Sequence, residues 1–383
     1  MWATRERMEA VEQHALAPYA IFSRSSRGRQ YPEPEPAYRT AFQRDRDRIV
    51  HSAAFRRLEY KTQVFVNDEG DYYRTRLTHT LEVAQIGRTL ARALGANEDL
   101  VEAICLAHDL GHPPFGHAGE TVLNRLTASC GGFNHNHQSF RVVTQLEQRY
   151  PDWPGLNLTY ETLEGIAKHE TEYDLSDAAG FEPELRGSLE SQIANIADEL
   201  AYNAHDLDDG LQAALIRPDD LNELELWRML CERVGWRGSE VDEVGRHTLI
   251  RELIGIQVGD VLEATTRRLE ALETRTPAGI RSLAENIVQH SPDMQQLNRA
   301  LKNFLYDRMY HHFRVARMAK RAERFIEQIF QVYVQDVRQL PPAYRALLDH
   351  QSSYRVVADY IAAMTDRTAL LEYRRLFDPL ILP

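Results

Sequence analysis

From about residue 38 onward, apolar side chains recur at intervals of three and four positions through most of this 383-residue chain. Alternating apolar and polar runs, which half-buried β-strands require, are few. The periodicity therefore predicts an all-α fold, a helical bundle with additional helices. The exception is 62–77, where two short apolar runs flank an Asn-Asp-Glu-Gly sequence, a pattern that predicts a short β-hairpin.

We predict that the chain is organised in three parts. Residues 1–37 contain SRSSRGRQ and the proline-spaced YPEPEPAY, and their apolar content is too low for independent folding. We expect this part to be an extended arm that acts as a linker or wraps a neighbour. The remaining parts are a helical core at 38–215 and a C-terminal helical region at 216–383, without a repeat of fixed period.

Charge and cysteine usage restrict the class of protein. The chain has 45 basic and 57 acidic residues, and its formal charge of -12 argues against wide, non-specific binding of duplex DNA. Its three cysteines form neither a CxxC pair nor a disulfide-rich framework, which favours a reducing compartment. No apolar run approaches the roughly 20 residues of a membrane span. We therefore predict a cytoplasmic protein with weak or no nucleic-acid binding and no membrane association.

Histidine and aspartate residues on predicted helices indicate a metal site. His79 lies beside the apolar stripe of its helix, His108 and Asp109 lie at the end of a core helix, and Asp198 belongs to a polar stripe. Two imidazoles and two carboxylates suit a divalent ion such as Mn, Mg, Fe or Ni, with positions left for water and a phosphate oxygen. For His79 alone, a hydrogen-bonded structural histidine is the open alternative.

The segment HDLGHPPFGHAGE at 108–120 concentrates histidines in a loop shaped by glycine and proline. Glu120 follows His117 by three residues on a predicted helix, so its carboxylate can hold that imidazole in one tautomer, as in a general-acid unit. The nearby sequence FNHNHQS at 133–139 offers further donors for phosphate oxygens. A polar loop without a ligand is the alternative for this second cluster.

Together these motifs resemble the HD-domain dNTP triphosphohydrolases, most closely the bacterial dGTPase-like group. The resemblance rests on TRLTHTLEV around His79, on HDLGHPPFGHAGE and on ADELAYNAHDLDDG at 197–210. It continues through SRSSRGRQYPEPE, the run at 39–65 and LYDRMYHHFRV at 305–315, and thus covers nearly the whole chain. It implies an all-helical HD domain with helical additions, which uses a divalent metal to hydrolyse a dNTP to deoxynucleoside and tripolyphosphate.

The resemblance also implies roles for individual residues. The metal ligands would be His79, His108, Asp109 and Asp198. The catalytic residues would be His117, Glu120 and His112, with His112 also in contact with phosphate. The substrate contacts would be Gln63, Val64, Arg76, His135, Tyr202, Asp206, Lys302 and Tyr310. Among these, Arg76 would lie at the α-phosphate, and the pair Gln63 and Val64 at the 3′-hydroxyl of the sugar.

Two positions depart from the family pattern. Glu199 stands where some relatives have a phosphate-binding lysine, so triphosphate contacts would come partly from elsewhere, with the arginine-rich stretch 44–57 as a candidate. The alternative for that stretch is a solvated amphipathic helix with Asp–Arg pairs. His137 stands where relatives often have an acid.

Two other functions remain open at the level of the sequence. One is another HD phosphohydrolase, acting on nucleotide monophosphates, cyclic nucleotides or alarmones with the same metal ligands and a different pocket. The other is a non-catalytic nucleotide sensor or single-strand-binding protein on the same scaffold. The resemblance further implies a homo-oligomer, a tetramer or hexamer, and allows for an activating dNTP at a subunit interface.

Overall fold

The computed structural model describes residues 2–63, 74–169, 180–238 and 240–380, and within them it confirms the all-α prediction. Strand pairing in these residues is limited to isolated bridges. One of them joins Thr62 and Thr75 in antiparallel fashion at the base of the predicted hairpin, whose remaining residues lie outside the described part. No helix in the described ranges has the length and apolar content to cross a membrane.

The α-helices of the described residues are joined by connections of different lengths, and several begin at a side-chain cap, such as that of Ser52. They are α1 (Arg5–Ala15), α2 (Ala41–Val50), α3 (Ala53–Arg57), α4 (Arg76–Leu94), α5 (Glu98–Ala107), α6 (Gly116–Leu126), α7 (His135–Arg141), α8 (Tyr160–Ala167), α9 (Leu189–Gln212), α10 (Glu225–Val234), α11 (Glu243–Glu270), α12 (Pro277–Arg281), α13 (Pro292–Leu305), α14 (Phe313–Gln335), α15 (Pro342–Arg345), α16 (Ser353–Ala362) and α17 (Asp366–Phe377).

The chain forms two compact units, each assembled from separate stretches. The first unit comprises Met1–Val50, His79–Ala107 and Leu156–His312, and the second comprises His51–Thr78, His108–Gly155 and Phe313–Pro383. The predicted division at residues 37 and 215 stays a prediction. Within the predicted arm, however, α1 is helical because the Thr4 side chain accepts a hydrogen bond from the backbone N–H of Arg7 and caps it.

Helix α9 is the centre of the first unit, where it packs against α5, α8, α11 and α13. Its start is set by Ser188, whose side chain accepts a hydrogen bond from the backbone N–H of Ser191. Helix α4 approaches this core closely, since a Cβ on Gly87 would lie 2.9 Å from the Cys105 sulfur. Burial raises the pKa of the Cys105 thiol. The other two cysteines are partly exposed, and all three are free.

Helix α14 has the same central place in the second unit, where it packs against α6, α16 and α17. Its buried face, which includes Ile326, Ile329 and Phe330, joins an apolar core with Leu123 of α6 and Val357 of α16. Burial of this apolar surface fixes α6, which carries His117 and Glu120, to the C-terminal helices of the same unit.

The arginine-rich stretch of the first unit is mostly engaged in structural contacts. Arg44 pairs with Glu33 and Glu35, and Arg48 pairs with Glu33 while it also donates to two backbone carbonyls. Between them, Asp45 is fully buried and accepts hydrogen bonds from Arg29, Thr159 and Thr162. The carboxylate of Asp45 thus joins the N-terminal segment to α2 and α8.

Replacement of Asp45 by Ala should lower the free energy of unfolding by about 3–5 kcal/mol, because it leaves the buried Arg29 guanidinium without its main partner. Urea unfolding of the purified protein measures this. Asp47 on the same helix pairs with Arg39 nearer the surface, so Asp47→Ala should cost less than about 1 kcal/mol. Equal costs for the two variants would contradict the structural role of Asp45.

Candidate active site

In the first unit, His79 of α4 and Asp198 of α9 lie side by side. The Nε2 atom of His79 is 3.0 Å from Oδ1 of Asp198, and Nε2 of His169 is 3.4 Å from the other carboxylate oxygen. On its opposite side, Nδ1 of His79 is 3.2 Å from Nδ1 of His205, whose Nε2 contacts Glu82 at 2.9 Å. Metal-binding imidazoles are usually oriented by such contacts at their other nitrogen.

The sequence analysis did not single out His169 or His205. His205 lies within the motif at 197–210, three residues after Tyr202, so helical spacing could have placed it on the same face. His169 follows α8 in a polar segment and had no comparable signal.

In the second unit, Asp109 lies among three nitrogen-bearing side chains. Arg76 donates to its Oδ2 at 2.9 Å, while Nε2 of His112 and Nε2 of His108 lie 3.2 and 3.5 Å from its Oδ1. Burial alone would raise the pKa of Asp109, but the charge of Arg76 and the contacts with His108 and His112 outweigh it and hold the pKa well below its usual range. Asp109 is therefore an ionised carboxylate in a buried position.

The histidine loop continues into a cluster around Glu120. Nδ1 of His117 is 3.2 Å from one carboxylate oxygen, and the other accepts from the backbone N–H of His135 at 2.7 Å and faces its Nδ1 at 2.9 Å. The ring of His112 stacks on that of His135 with centroids 3.8 Å apart. The His117 side chain is 56% exposed, so a ligand can reach it.

Burial and neighbouring charges determine the protonation states of Glu120 and His112 in this cluster. Burial would raise the pKa of Glu120, but the His135 charge and the hydrogen bonds from His117 and His135 hold it well below its usual range. Burial, then the charges of Arg76 and His135, lower the pKa of His112 well below its usual range, so this imidazole is neutral near pH 7. Ligand atoms of His112, Glu120 and His135 also lie within 4.8 Å of one another, a group that could itself hold a cation.

Two buried side chains outside the predicted set hold the histidine loop in place. The carboxylate of Asp366 accepts from the backbone N–H of Thr62 at 2.9 Å, from the Thr62 hydroxyl, and from the backbone N–H of Phe115 at 2.8 Å. Lys61 donates to the carbonyl of His112 and, at 2.8 Å, to that of Ala362. Burial, then the charges of nearby arginines, lower the pKa of Lys61 to about 7.

Two consecutive residues of the histidine loop have a left-handed backbone conformation. Phe115 has φ of 64° and Gly116 has φ of 56°, immediately before the helix that carries His117. A Cβ on Gly116 would lie 3.1 Å from Nη2 of Arg76, so glycine is needed both for the turn and for the guanidinium packed against it. Gln63 follows Thr62 and is buried, whereas Val64 lies outside the described residues.

Tyr202, Asp206 and Tyr310 form a hydrogen-bonded group in the first unit, in which Asp206 is buried and the two tyrosines are partly buried. A π-helical turn at Tyr306–Tyr310 presents Tyr310, whose hydroxyl donates to Asp206 and contacts the hydroxyl of Tyr202. Burial, then the charge of Asp209, raise the pKa of Asp206 to about 7.

Lys302 and Glu199, the residue at one departure from the family pattern, form an ion pair in the first unit. Nζ of Lys302 donates to Oε1 of Glu199 at 2.9 Å. The lysine thus already has an acidic partner within its own unit.

Comparison with known proteins gives matches over nearly the whole length. The HD domain model matches residues 76–203, and the phosphohydrolase-associated domain model matches residues 288–375. A Geobacter sulfurreducens protein named deoxyguanosinetriphosphate triphosphohydrolase-like protein is 52% identical and covers 98% of each chain. Proteins of the same name from Geobacter metallireducens (51% identical, 96% of each chain) and Deinococcus deserti (48% identical, 98% of this chain and 97% of that protein) are also similar.

A similarity to a solved structure is weaker. The crystal structure of a hypothetical protein from Aquifex aeolicus covers 78% of this chain and 79% of its own, at 18% identity and a TM-score of 0.30. This value is too low to inform either the site or the function.

Asp366→Asn should loosen the histidine loop, because the amide cannot accept all the hydrogen bonds that the carboxylate accepts from Thr62 and Phe115. Each bond to a charged acceptor contributes about 1.5–3 kcal/mol, so the backbone amides of Thr62 and Phe115 should exchange roughly tenfold to a hundredfold faster. Hydrogen–deuterium exchange measures this. Asp349→Asn, at an exposed position of the same unit, is the control, and an equal change in both variants would refute the anchoring role.

Asp206 should make the stability of the metal-free protein depend on pH. Its pKa rises from about 4 in the unfolded chain to about 7 in the folded protein, so the folded state favours the protonated carboxyl. That stabilisation is complete below about pH 4 and is lost as pH rises through 7. Relative to Asp206→Asn, the free energy of unfolding in urea should fall by on the order of 4 kcal/mol between pH 4 and 8. A difference that stays constant with pH would contradict this.

Proposed function

The chain belongs to the deoxyguanosinetriphosphate triphosphohydrolase-like family of HD-domain proteins, and we propose that it is a metal-dependent hydrolase of deoxynucleoside triphosphates. This membership confirms the resemblance found in the sequence. The reaction we propose converts dGTP, or several dNTPs, to deoxynucleoside and inorganic tripolyphosphate. The observation that carries the proposal is the His117–Glu120 pair, an accessible imidazole fixed by an ionised carboxylate.

We propose that His79, His108, Asp109 and Asp198 hold a divalent metal ion, as the family resemblance implies. All four are buried or nearly so, and their imidazole nitrogens and carboxylate oxygens suit Mn, Mg, Fe or Ni. When bound, such an ion lowers the pKa of a water ligand and neutralises charge on phosphate oxygens.

His117 is proposed to move the proton of the reaction. Since Nδ1 of His117 is held by Glu120, Nε2 is the nitrogen that can exchange a proton with the 5′-oxygen of the leaving deoxynucleoside or with the attacking water. His135 and His112 are proposed to contact phosphate oxygens. Arg76 would offset negative charge at the α-phosphate, where its buried guanidinium is fixed beside Gly116.

Preference for deoxyribose is proposed to depend on the group around Asp206. Tyr202 would pack on the sugar, and Asp206 would bond its 3′-oxygen, so that a ribose 2′-hydroxyl would clash. Gln63 and Val64 are proposed at the same 3′-hydroxyl. Lys302 and Tyr310 would contact the distal phosphate and the nucleoside, but Lys302 must first leave its ion pair with Glu199.

The same resemblance supports proposals about context. We propose a homo-oligomer, a tetramer or hexamer, with an activating dNTP, in the cytoplasm. Three free cysteines agree with a reducing compartment. The two alternative functions differ from this proposal in their products. Another HD phosphohydrolase would release a different product, and a non-catalytic sensor would release none.

The test is incubation of the Mn-loaded protein with each dNTP and the matching NTP, with products separated by anion exchange. Deoxynucleoside and tripolyphosphate should appear, and His117→Ala should lower kcat roughly 10²- to 10⁴-fold, because the proton donor is lost while the metal content is unchanged. The matched control is His137→Ala, because His137 is an exposed histidine on the same helix as His135. This variant should change kcat by no more than about twofold.

Release of monophosphate or pyrophosphate would favour another HD phosphohydrolase. Absence of turnover with every single dNTP and with their mixture would favour the sensor. An unchanged rate in His117→Ala would refute the role given to the His117–Glu120 pair.

A further inference from the structure

The second unit contains a cavity of about 390 Å³ that the proposed reaction does not use. Its wall is formed by residues of α3, the start of the histidine loop, the segment after α7, α15 and the end of α16. Alanine, valine and leucine side chains cover part of the wall. The polar residues that line it are Arg57, Lys61, Gln138, Gln145, Glu147, Gln148, Arg149, Tyr344 and Asp359.

Both acidic residues of the wall are already bonded to the protein. Glu147 accepts from the backbone N–H groups of Ala53 and Ala54 at 3.1 and 2.7 Å. Asp359 is fully buried, and it pairs with Arg141 and accepts from the side-chain amide of Gln138 at 3.0 Å. Asp359 thus has its counter-charge in Arg141, whereas the hydrogen bonds of Glu147 are with the backbone of α3.

The cations of the wall are not neutralised in this way. Lys61 is 2% exposed, yet its ammonium donates only to two backbone carbonyls. Among the described residues, no carboxylate forms an ion pair with Lys61, Arg57 or Arg149. The charges of Asp366 and Asp109 stabilise the Lys61 ammonium in part, but a buried ammonium without a directly bonded counter-charge is still costly. An anion in the adjacent cavity would supply that counter-charge.

An acceptor on the wall also has no partner. Gln138 is only 2% exposed, and its buried Oε1 atom makes no hydrogen bond within the described residues. The orientation of this amide is fixed, because its NH₂ group must face the carboxylate of Asp359. A ligand that satisfies both features of the wall would present oxygens that accept from the cations and an O–H that donates to Gln138.

We propose that this cavity binds a phosphate group that carries at least one O–H, either inorganic phosphate or the head of a small phosphate monoester. Its unprotonated oxygens pair with Lys61 and Arg57, and its O–H, or a hydroxyl of the attached sugar, donates to Oε1 of Gln138. Arg149 at the exposed side adds a second guanidinium for the same charge. The apolar part of the wall accommodates the organic portion of a monoester.

The cavity is linked to the histidine loop through one side chain. Lys61 lines the cavity and also donates to the backbone carbonyl of His112. Leu110 and Gly111, which directly precede His112, line it as well. A bound phosphate would therefore fix the Lys61 ammonium and, through it, the position of the loop.

The test is isothermal titration of the full-length, metal-loaded protein with inorganic phosphate and, separately, with ribose 5-phosphate. Arg57→Gln should weaken the site at least about tenfold, because one charged hydrogen-bond donor is lost. The neighbouring Arg56→Gln is the matched control, since Arg56 is exposed and does not line the cavity. Tighter binding of ribose 5-phosphate than of phosphate would identify a monoester as ligand, and the reverse would identify free phosphate.

The His135→Ala variant distinguishes binding in the cavity from binding at the candidate active site. It should change the affinity of the cavity site by no more than about twofold. Circular dichroism and the melting temperature of Arg57→Gln confirm that the variant is folded. The proposal is overturned if neither probe binds, if Arg56→Gln weakens binding as much as Arg57→Gln, or if His135→Ala removes the site that Arg57→Gln was expected to weaken.

Discussion

The burial of acidic side chains along α9 is the constraint on which the first unit depends. Glu190, Asp198, Asp206 and Asp208 are buried or nearly so, and a carboxylate away from water needs a hydrogen-bond donor or a cation. Each finds a different kind of partner, namely backbone N–H groups, imidazoles, a phenol and a guanidinium. A shift of α9 by one residue would leave all four unmatched, so the same contacts fix both the register of the helix and the position of the candidate site.

The second unit differs, since His108, Asp109 and His112 of its candidate site lie on a loop instead of a helix. A loop with two consecutive left-handed residues is not the conformation that the local sequence alone would favour. Asp366 and Lys61 hold it from the side, through backbone groups of residues 62, 112 and 115. The chemistry of the histidines therefore depends on residues from the far end of the chain.

The parts of the structure that the sequence predicts are those with local causes. Helical periodicity predicted the all-α fold, and the spacing of His117 and Glu120 within one helical turn predicted their contact at 3.2 Å. The positions of Asp366 and Lys61 had no such signal, because the contacts of Asp366 span 251 and 304 residues and depend on tertiary packing. Composition could not distinguish a solvated Asp–Arg helix from one in which Asp45 is fully buried.

The distribution of the three thiols has a practical consequence for experiments. Cys105 is buried with a raised thiol pKa, so it reacts slowly with alkylating reagents, whereas Cys130 and Cys231 are partly exposed. Cys231 belongs to the first unit and Cys130 to the second. The sequence thus provides one accessible thiol for a fluorophore in each unit, without any engineered cysteine.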